Sequence, residues 1–242
     1  MRSFVIAVAV CLVSATASAA SWKATKNAAD DVIYAGRHAT FYCGCEYRSD
    51  GDKDGSGKIT SIDGCGYQAA KKHVKRAKRV EWEHIVPASL MPARKFQCWS
   101  GKGGSRHKCE TKDPKAKAMI FDLHNLAPSI GQVNALRGND RYADLSDDTS
   151  DFGGCAIEDA KGQFEPPNCK KGDVARVWLY MQDRYGLVIT PDEQAMFDQW
   201  SDADPVSSWE SEREKRVAEY TGVHNPFVHS IEPSEAGACS WE

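Results

Sequence analysis

The stretch Glu81-Trp82-Glu83-His84-Ile85-Val86-Pro87-Ala88 decides how this chain reads. Val80 to Val86 has the composition of a β-strand, and Pro87, which cannot donate to a ladder, ends it. Glu83 and His84 therefore sit side by side on an extended segment. A carboxylate can hold a hard divalent cation, and an imidazole can accept a proton from water near neutral pH. The plainer alternative is an amphipathic strand on which Glu83 and His84 alternate faces, with His84 satisfied by a core hydrogen bond.

A second polar cluster, Phe121-Asp122-Leu123-His124-Asn125-Leu126-Ala127-Pro128-Ser129-Ile130-Gly131-Gln132-Val133-Asn134, favours the chemical reading. Amide and imidazole groups threaded through apolar residues need partners. Helical character runs from about Ile130 to Leu136 and stops at Arg137-Gly138-Asn139-Asp140, so Asn134 belongs to a helix while His84 belongs to a strand. An imidazole beside a carboxylate that can hold a divalent ion suits metal-assisted phosphodiester hydrolysis.

The charge distribution agrees. The 242 residues carry a formal net charge of −3, which by itself disfavours a polyanionic partner. Between Lys71 and Lys117, however, fourteen Lys and Arg face four Asp and Glu, and the remainder of the chain is strongly acidic. A basic field of about ten charges flanking the candidate strand would attract a polyanion and release its counterions. Either that or a solvated basic surface accounts for Lys71-Lys72-His73-Val74-Lys75-Arg76-Ala77-Lys78-Arg79.

Residues 1–19 have the form of a secretory signal: Met1-Arg2-Ser3, an apolar run from Phe4 to Val13, and Ala17-Ser18-Ala19 before the expected cleavage point. The run is too short to span a bilayer, which takes about 20 residues. A periplasmic or extracellular protein is expected, with residues 20–242 forming one domain and a monomer. Cys11 would leave with the signal. The remaining Cys43, Cys45, Cys65, Cys98, Cys109, Cys155, Cys169 and Cys239 are an even number suited to four disulfides. Cys98 with Cys109 and Cys155 with Cys169 bracket Gly- or Pro-containing loops and are the expected local closures. Zinc is the rival use for these thiols, but there is no Cys-x-x-Cys pair.

Elsewhere, Ala24 to Gly36 reads as helix, Phe41-Tyr42-Cys43-Gly44-Cys45 as extended, and Pro87 to Pro114 as a long basic loop. The C-terminal third is helical: Val174, Val177, Trp178, Met181 and Tyr185 form one apolar face closed by Gly186. Thr190-Pro191-Asp192-Glu193 is a capping box, and Ser207-Ser208-Trp209-Glu210 opens a helix that ends before Gly222. These helices are expected to brace the site.

Asp52-Lys53-Asp54-Gly55-Ser56-Gly57-Lys58-Ile59-Thr60-Ser61-Ile62-Asp63 fits a twelve-residue calcium loop. Asp52, Asp54, Ser56 and Asp63 would supply side-chain oxygens and Lys58 its backbone carbonyl to a structural Ca²⁺. The loop resembles EF-hand and dockerin loops, although Asp63 stands where Glu is usual and no convincing helix precedes it. A flexible Asp/Gly/Ser surface loop is the alternative. Cys45 and Cys65 flank the segment and could close it covalently.

Phe41-Tyr42-Cys43-Gly44-Cys45, Cys65-Gly66-Tyr67, the Glu81–Ala88 stretch, Asp122-Leu123-His124-Asn125-Leu126, Gly131-Gln132-Val133-Asn134 and His224-Asn225-Pro226-Phe227, in this order, resemble the endonuclease I family of periplasmic and secreted bacterial nucleases. The resemblance implies an α+β fold around a ββα-metal core. It also implies a sugar-nonspecific endonuclease that cuts DNA, and often RNA, to 5′-phosphate ends. Carried over by position, it makes His84 the general base, Glu83 and Asn134 the ligands of a single Mg²⁺, and Arg106 the phosphate contact, with Arg94 as the alternative arginine. The loop holding Arg106 is longer than the family pattern, and the calcium loop, about residues 50–64, is an insertion relative to many members.

His124 and Asn125 either orient the site or stitch loop to helix, and His224 and Asn225 suit a capped turn ahead of the alternative, a ligand pair. Two other functions remain in play at this level. A zinc hydrolase centred on His84 lacks the histidine expected four residues on, where Ala88 stands. A noncatalytic, calcium-stabilised module that binds polyanions would need the basic stretch but neither Glu83 nor Asn134.

Overall fold

The computed structural model describes residues 21–49, 56–145, 150 and 152–242. The expected signal segment, and Asp52 and Asp54 of the calcium loop, lie outside the described residues. Four strands form one antiparallel sheet: β1 (Tyr47–Ser49), β2 (Gly57–Ile59), β3 (Arg79–His84) and β4 (Leu126–Ile130), neighbours in that order. Helix α1 (Trp22–Ala28), capped by the Ser21 hydroxyl and continued by a π-helical turn at Ala29–Ile33, lays Ala28, Ala29 and Ile33 against Trp82 and Leu126 of this sheet. In the β3–β4 ladder, Glu83 stands opposite Ala127 and His84 opposite Leu126. β4 then passes without a break into α5 (Gly131–Arg137). Two antiparallel strands and the helix that follows them make the ββα unit.

Between β3 and β4 the chain is not a loop. It makes two 3-10 turns, Ala88–Leu90 and Pro92–Lys95, then the short helices α2 (Gln97–Ser100), α3 (Arg106–Lys112) and α4 (Pro114–Ile120), and a third 3-10 turn, Leu123–Asn125, before β4. These helices carry little apolar periodicity, which is why the sequence reads as loop. They are held by local devices: the Ser105 hydroxyl caps α3, the Asp113 carboxylate caps α4, and Cys98–Cys109 ties α2 to α3.

Three further short strands, β5 (Arg141–Tyr142), β6 (Glu158–Ala160) and β7 (Gln163–Glu165), form a second sheet in the order β5-β7-β6. The C-terminal third is helical as expected: α6 (Lys171–Tyr185), α7 (Pro191–Ala203) and α8 (Ser208–Thr221). Gly186 and Gly222 take the left-handed conformation after α6 and α8, and both hydrogen bonds of the Thr190/Glu193 capping box form. Trp178, Tyr180 and Met181 of α6 are fully buried in the core shared with Phe164, Ile120 and Val133. The protein is a mixed α+β fold with four disulfides.

Phe41–Cys45 is a tight turn rather than extended. Thr40 accepts from the Gly44 amide at 2.8 Å, and Gly44 sits at φ 63°, where a β-carbon would also strike the Trp241 ring. The expected Cys155–Cys169 closure does not form. Cys155 instead reaches Cys43 and Cys169 reaches Cys239, while Cys45–Cys65 and Cys98–Cys109 are the local pairs. β6, β7 and the turn after them separate Cys155 from Cys169, so loop length alone misleads.

Cys43–Cys155 spans 112 residues and Cys98–Cys109 spans 11, and cross-linking a longer stretch removes more unfolded-state entropy. Cys43→Ser/Cys155→Ser should lower stability in guanidinium unfolding by about 2–5 kcal/mol, and by more than Cys98→Ser/Cys109→Ser does.

Candidate active site

His84 ends β3, and its Nε2 lies 2.7 Å from the backbone carbonyl oxygen of Ile120. A carbonyl only accepts, so Nε2 carries the hydrogen and Nδ1 of the neutral ring is a bare acceptor. Trp22 stacks on the ring, centroids 5.3 Å apart and planes 9° off parallel. Burial, aided by the charges of Arg106 and Arg137, pushes the imidazole pKa down to about 4 against the opposing Ile120 hydrogen bond. The ring is thus held neutral, the form a proton acceptor needs.

Glu83 faces the other way and is 2% exposed. Its Oε1 accepts from Arg137 Nη1 at 2.6 Å and from the Tyr42 hydroxyl at 2.9 Å. Tyr42 has one proton to give, so the Tyr142 hydroxyl, 2.5 Å away, donates to Tyr42. Burial, reinforced for both phenols by the Glu83 charge, raises their pKa values and keeps them protonated as donors. Arg137, itself 1% exposed, also donates to the carbonyls of His84 and Ile85 at 3.0 and 2.8 Å and lies 4.3 Å over the Tyr142 ring. The second oxygen of Glu83, Oε2, is buried with no partner. A buried carboxylate oxygen left bare is costly, and a cation ligated there removes the cost. Glu83 therefore fits the metal expected of it.

Asn134 lies on α5 one turn before Arg137, and the two share a helix face toward β3. Its amide nitrogen donates to Glu81 Oε2 at 3.1 Å, which leaves the carboxamide oxygen as the ligating atom on offer. Glu81 is in turn gripped by Arg76 and Arg79. Glu81 and Glu83, two apart on β3, thus share the strand face that meets α5, and His84 takes the opposite one.

The strand ends at His84, and there the two faces converge on a pocket of about 210 Å³ lined by His84, Pro87, Trp99, Arg106, Asn134 and Asn139 among others. His84, Arg106 and Asn134 are brought together in its wall. Glu83 is not in the wall; it is buried beside it against α5. Arg106, the first residue of α3, is set by Glu110 at 2.7 Å and lies 5.9 Å over Trp22. Arg94 is outside the wall, over Trp99 at 5.7 Å. Lys108 and Lys112 are exposed on the same helix, and Lys102 in the turn before it.

Asn125 clamps the chain after β3, its amide oxygen accepting from the Val86 amide at 2.7 Å and its nitrogen donating to the Val86 carbonyl at 3.1 Å. His124 is buried and donates to the Val223 carbonyl at 2.9 Å. Both have the stitching geometry. Of the calcium loop, Lys58 pairs within β2, Ser56 and Asp63 flank that strand, and Gly57 packs so close to the Arg48 carbonyl that a β-carbon would meet it at 2.7 Å.

Sequence reasoning missed Arg137, Tyr42, Glu81 and Trp22. For Arg137 a signal existed: a basic residue one helical turn from Asn134 lies on the same face of α5 and so meets the same strand, where it pairs with Glu83 while Asn134 pairs with Glu81. Tyr42 and Trp22 reach the site only through tertiary packing.

An antiparallel ββα unit that gathers carboxylate, imidazole, carboxamide and guanidinium groups beside a basic surface is the architecture of a nuclease. Residues 21–232 match the family model described as Endonuclease I, and the chain belongs to the endonuclease I family. It is 38% identical over 199 residues to Endonuclease-1 of Buchnera aphidicola subsp. Acyrthosiphon pisum, covering 81% of this chain and 76% of that one. It is also 35% identical over 222 residues to an extracellular deoxyribonuclease of Aeromonas hydrophila (90% and 93% covered), and 36% identical over 199 residues to a periplasmic deoxyribonuclease of that organism (81% and 80% covered).

Removing one member of a buried ion pair strands the other. Arg137→Met should lower unfolding free energy by about 3–5 kcal/mol, read by chemical denaturation at neutral pH.

Proposed function

We propose that the chain is an exported, sugar-nonspecific endonuclease of DNA, and also of RNA, in which residues 1–19 are the signal and residues 20–242 form the nuclease domain. His84 is the general base, Glu83 and Asn134 hold one Mg²⁺, and Arg106 contacts the phosphate. The observation that carries this reading is the pairing of a neutral imidazole, its Nε2 hydrogen committed to a backbone carbonyl, with a pocket wall that also presents Asn134 and Arg106. Among the described residues no helix is long and apolar enough to cross a membrane.

Mg²⁺ held by Glu83 and Asn134 would supply charge neutralisation to the phosphate and its leaving group. The chain supplies the rest. Nδ1 of His84 takes a proton from a water whose oxygen attacks phosphorus opposite the 3′ oxygen; the P–O3′ bond breaks, the 3′ oxygen takes up a proton from solvent, and the phosphate stays on the 5′ side. The Ile120 carbonyl and the Trp22 ring hold the imidazole still while its charge changes. Arg106 makes a charge-assisted contact to the phosphate, and its guanidinium is steadied by Glu110. The basic segment Lys71–Lys117 meets the polyanion without reading its bases, as backbone contacts do.

His84→Ala should slow plasmid cleavage in Mg²⁺ by about 10²–10⁴-fold, the usual worth of a positioned proton acceptor, while DNA affinity by fluorescence anisotropy stays within a few-fold. EDTA should abolish cleavage and added Mg²⁺ restore it. Undiminished cleavage by His84→Ala would remove the base assignment, and cleavage in EDTA would remove the metal.

A structural Ca²⁺ bound by Asp52, Asp54, Ser56, Asp63 and the Lys58 carbonyl is part of the same proposal, supported by the Cys45–Cys65 bond that closes the segment. Millimolar Ca²⁺ should raise the thermal midpoint of the parent but not of Asp54→Ala/Asp63→Ala, with equal cleavage rates in Mg²⁺ for the two. An identical Ca²⁺ response in the variant would exclude the loop.

A further inference from the structure

At the far end of α8 the chain turns back on itself: after Gly222, a tight turn from Asn225 returns His229 toward the helix, with the His229 amide donating to the Asn225 carbonyl at 2.8 Å. This places two imidazoles over one carboxylate. His224 Nδ1 is 2.8 Å from Glu214 Oε1, His229 Nδ1 is 3.7 Å from Glu214 Oε2, and the two ring centroids are only 3.8 Å apart. One potential ligand atom from each residue lies within 4.8 Å of the other two.

We propose that Glu214, His224 and His229 form a transition-metal site of the zinc class, separate from the centre that Glu83 and Asn134 serve. Tetrahedral zinc, with ligands at about 2.0–2.2 Å, sets neighbouring donor atoms roughly 3.3–3.5 Å apart. His224 Nδ1 donates to Glu214 Oε1 at 2.8 Å, a proton that the ion would displace, and His229 Nδ1 stands 3.7 Å from the other carboxylate oxygen, near that span. The longer distance exceeds a hydrogen bond, so His229 is not held by Glu214 itself and is free to ligate. Glu214 is anchored: its side chain is 6% exposed, and its Oε1 also accepts from the Asn225 amide at 3.2 Å. The imidazoles are half exposed, 52% and 48%, which leaves the ion an open path and a solvent-facing fourth position. Two nitrogens and one carboxylate select zinc or its neighbours over Mg²⁺ and Ca²⁺, which prefer oxygen. The ion would pin the segment that follows α8 onto that helix.

Zn²⁺ alone, titrated calorimetrically into the full chain in excess Mg²⁺, should bind at one ion per chain with micromolar or tighter affinity. His224→Gln/His229→Gln should lose at least about 100-fold of that affinity, as loss of a ligand exceeds the 10–100-fold cost of disturbing one that is merely oriented. In ¹H–¹⁵N spectra of the parent tuned to the imidazole nitrogens, His224 and His229 should shift on zinc addition, a readout that stands even if the double variant folds poorly. Absence of zinc uptake by the parent, uptake undiminished in a folded double variant, or unshifted His224 and His229 nitrogens would each overturn the site.

Discussion

The buried contact between Glu83 and Arg137 is the constraint from which the site's geometry follows. Two opposite charges have been taken out of water, and their attraction alone does not repay that desolvation. What the pair secures is orientation. Arg137 spends its donors on Glu83 and on the carbonyls of His84 and Ile85, so one guanidinium fixes the carboxylate, the end of β3 and the pitch of α5 together. Tyr42, with Tyr142 behind it, closes the remaining approach to Oε1. The carboxylate is left with one bare oxygen in one place.

The groups around it follow the same division of labour. Asn134 cannot turn its amide freely while Glu81 holds the nitrogen, and Glu81 cannot move while Arg76 and Arg79 hold it. His84, Arg106 and Asn134 in the pocket wall are thus each backed by a group outside it: the Ile120 carbonyl, Glu110 and Glu81. The long insertion between β3 and β4 adds Arg106 and Trp99 to the pocket wall, and its own rigidity comes from caps and a disulfide rather than from a core of its own.

Much of this was legible in the sequence. The strand through Glu83 and His84, the helix bearing Asn134, and the C-terminal helices with their caps follow from periodicity and capping chemistry, which are local. β4 was not legible because Pro128 breaks a strand pattern; it is tolerated since β4 is the edge of the sheet. The turn at Phe41–Cys45 depends on a left-handed Gly44 and the approach of Trp241 from the other end of the chain. Cys43–Cys155 joins segments 112 residues apart, a proximity no spacing rule anticipates. The partners of Glu83 were hidden for the same reason: Tyr42 and Tyr142 are neighbours only after the two sheets have packed.

The hydrogen bond from His84 to Ile120 involves a main-chain oxygen, which every amino acid possesses. The tautomer of the imidazole therefore does not depend on which side chain stands at position 120, so comparing related chains would overlook this contributor. The constraint belongs to the path of the polypeptide where α4 ends, and a shift of that path would be felt by the ring before any change in its immediate neighbours.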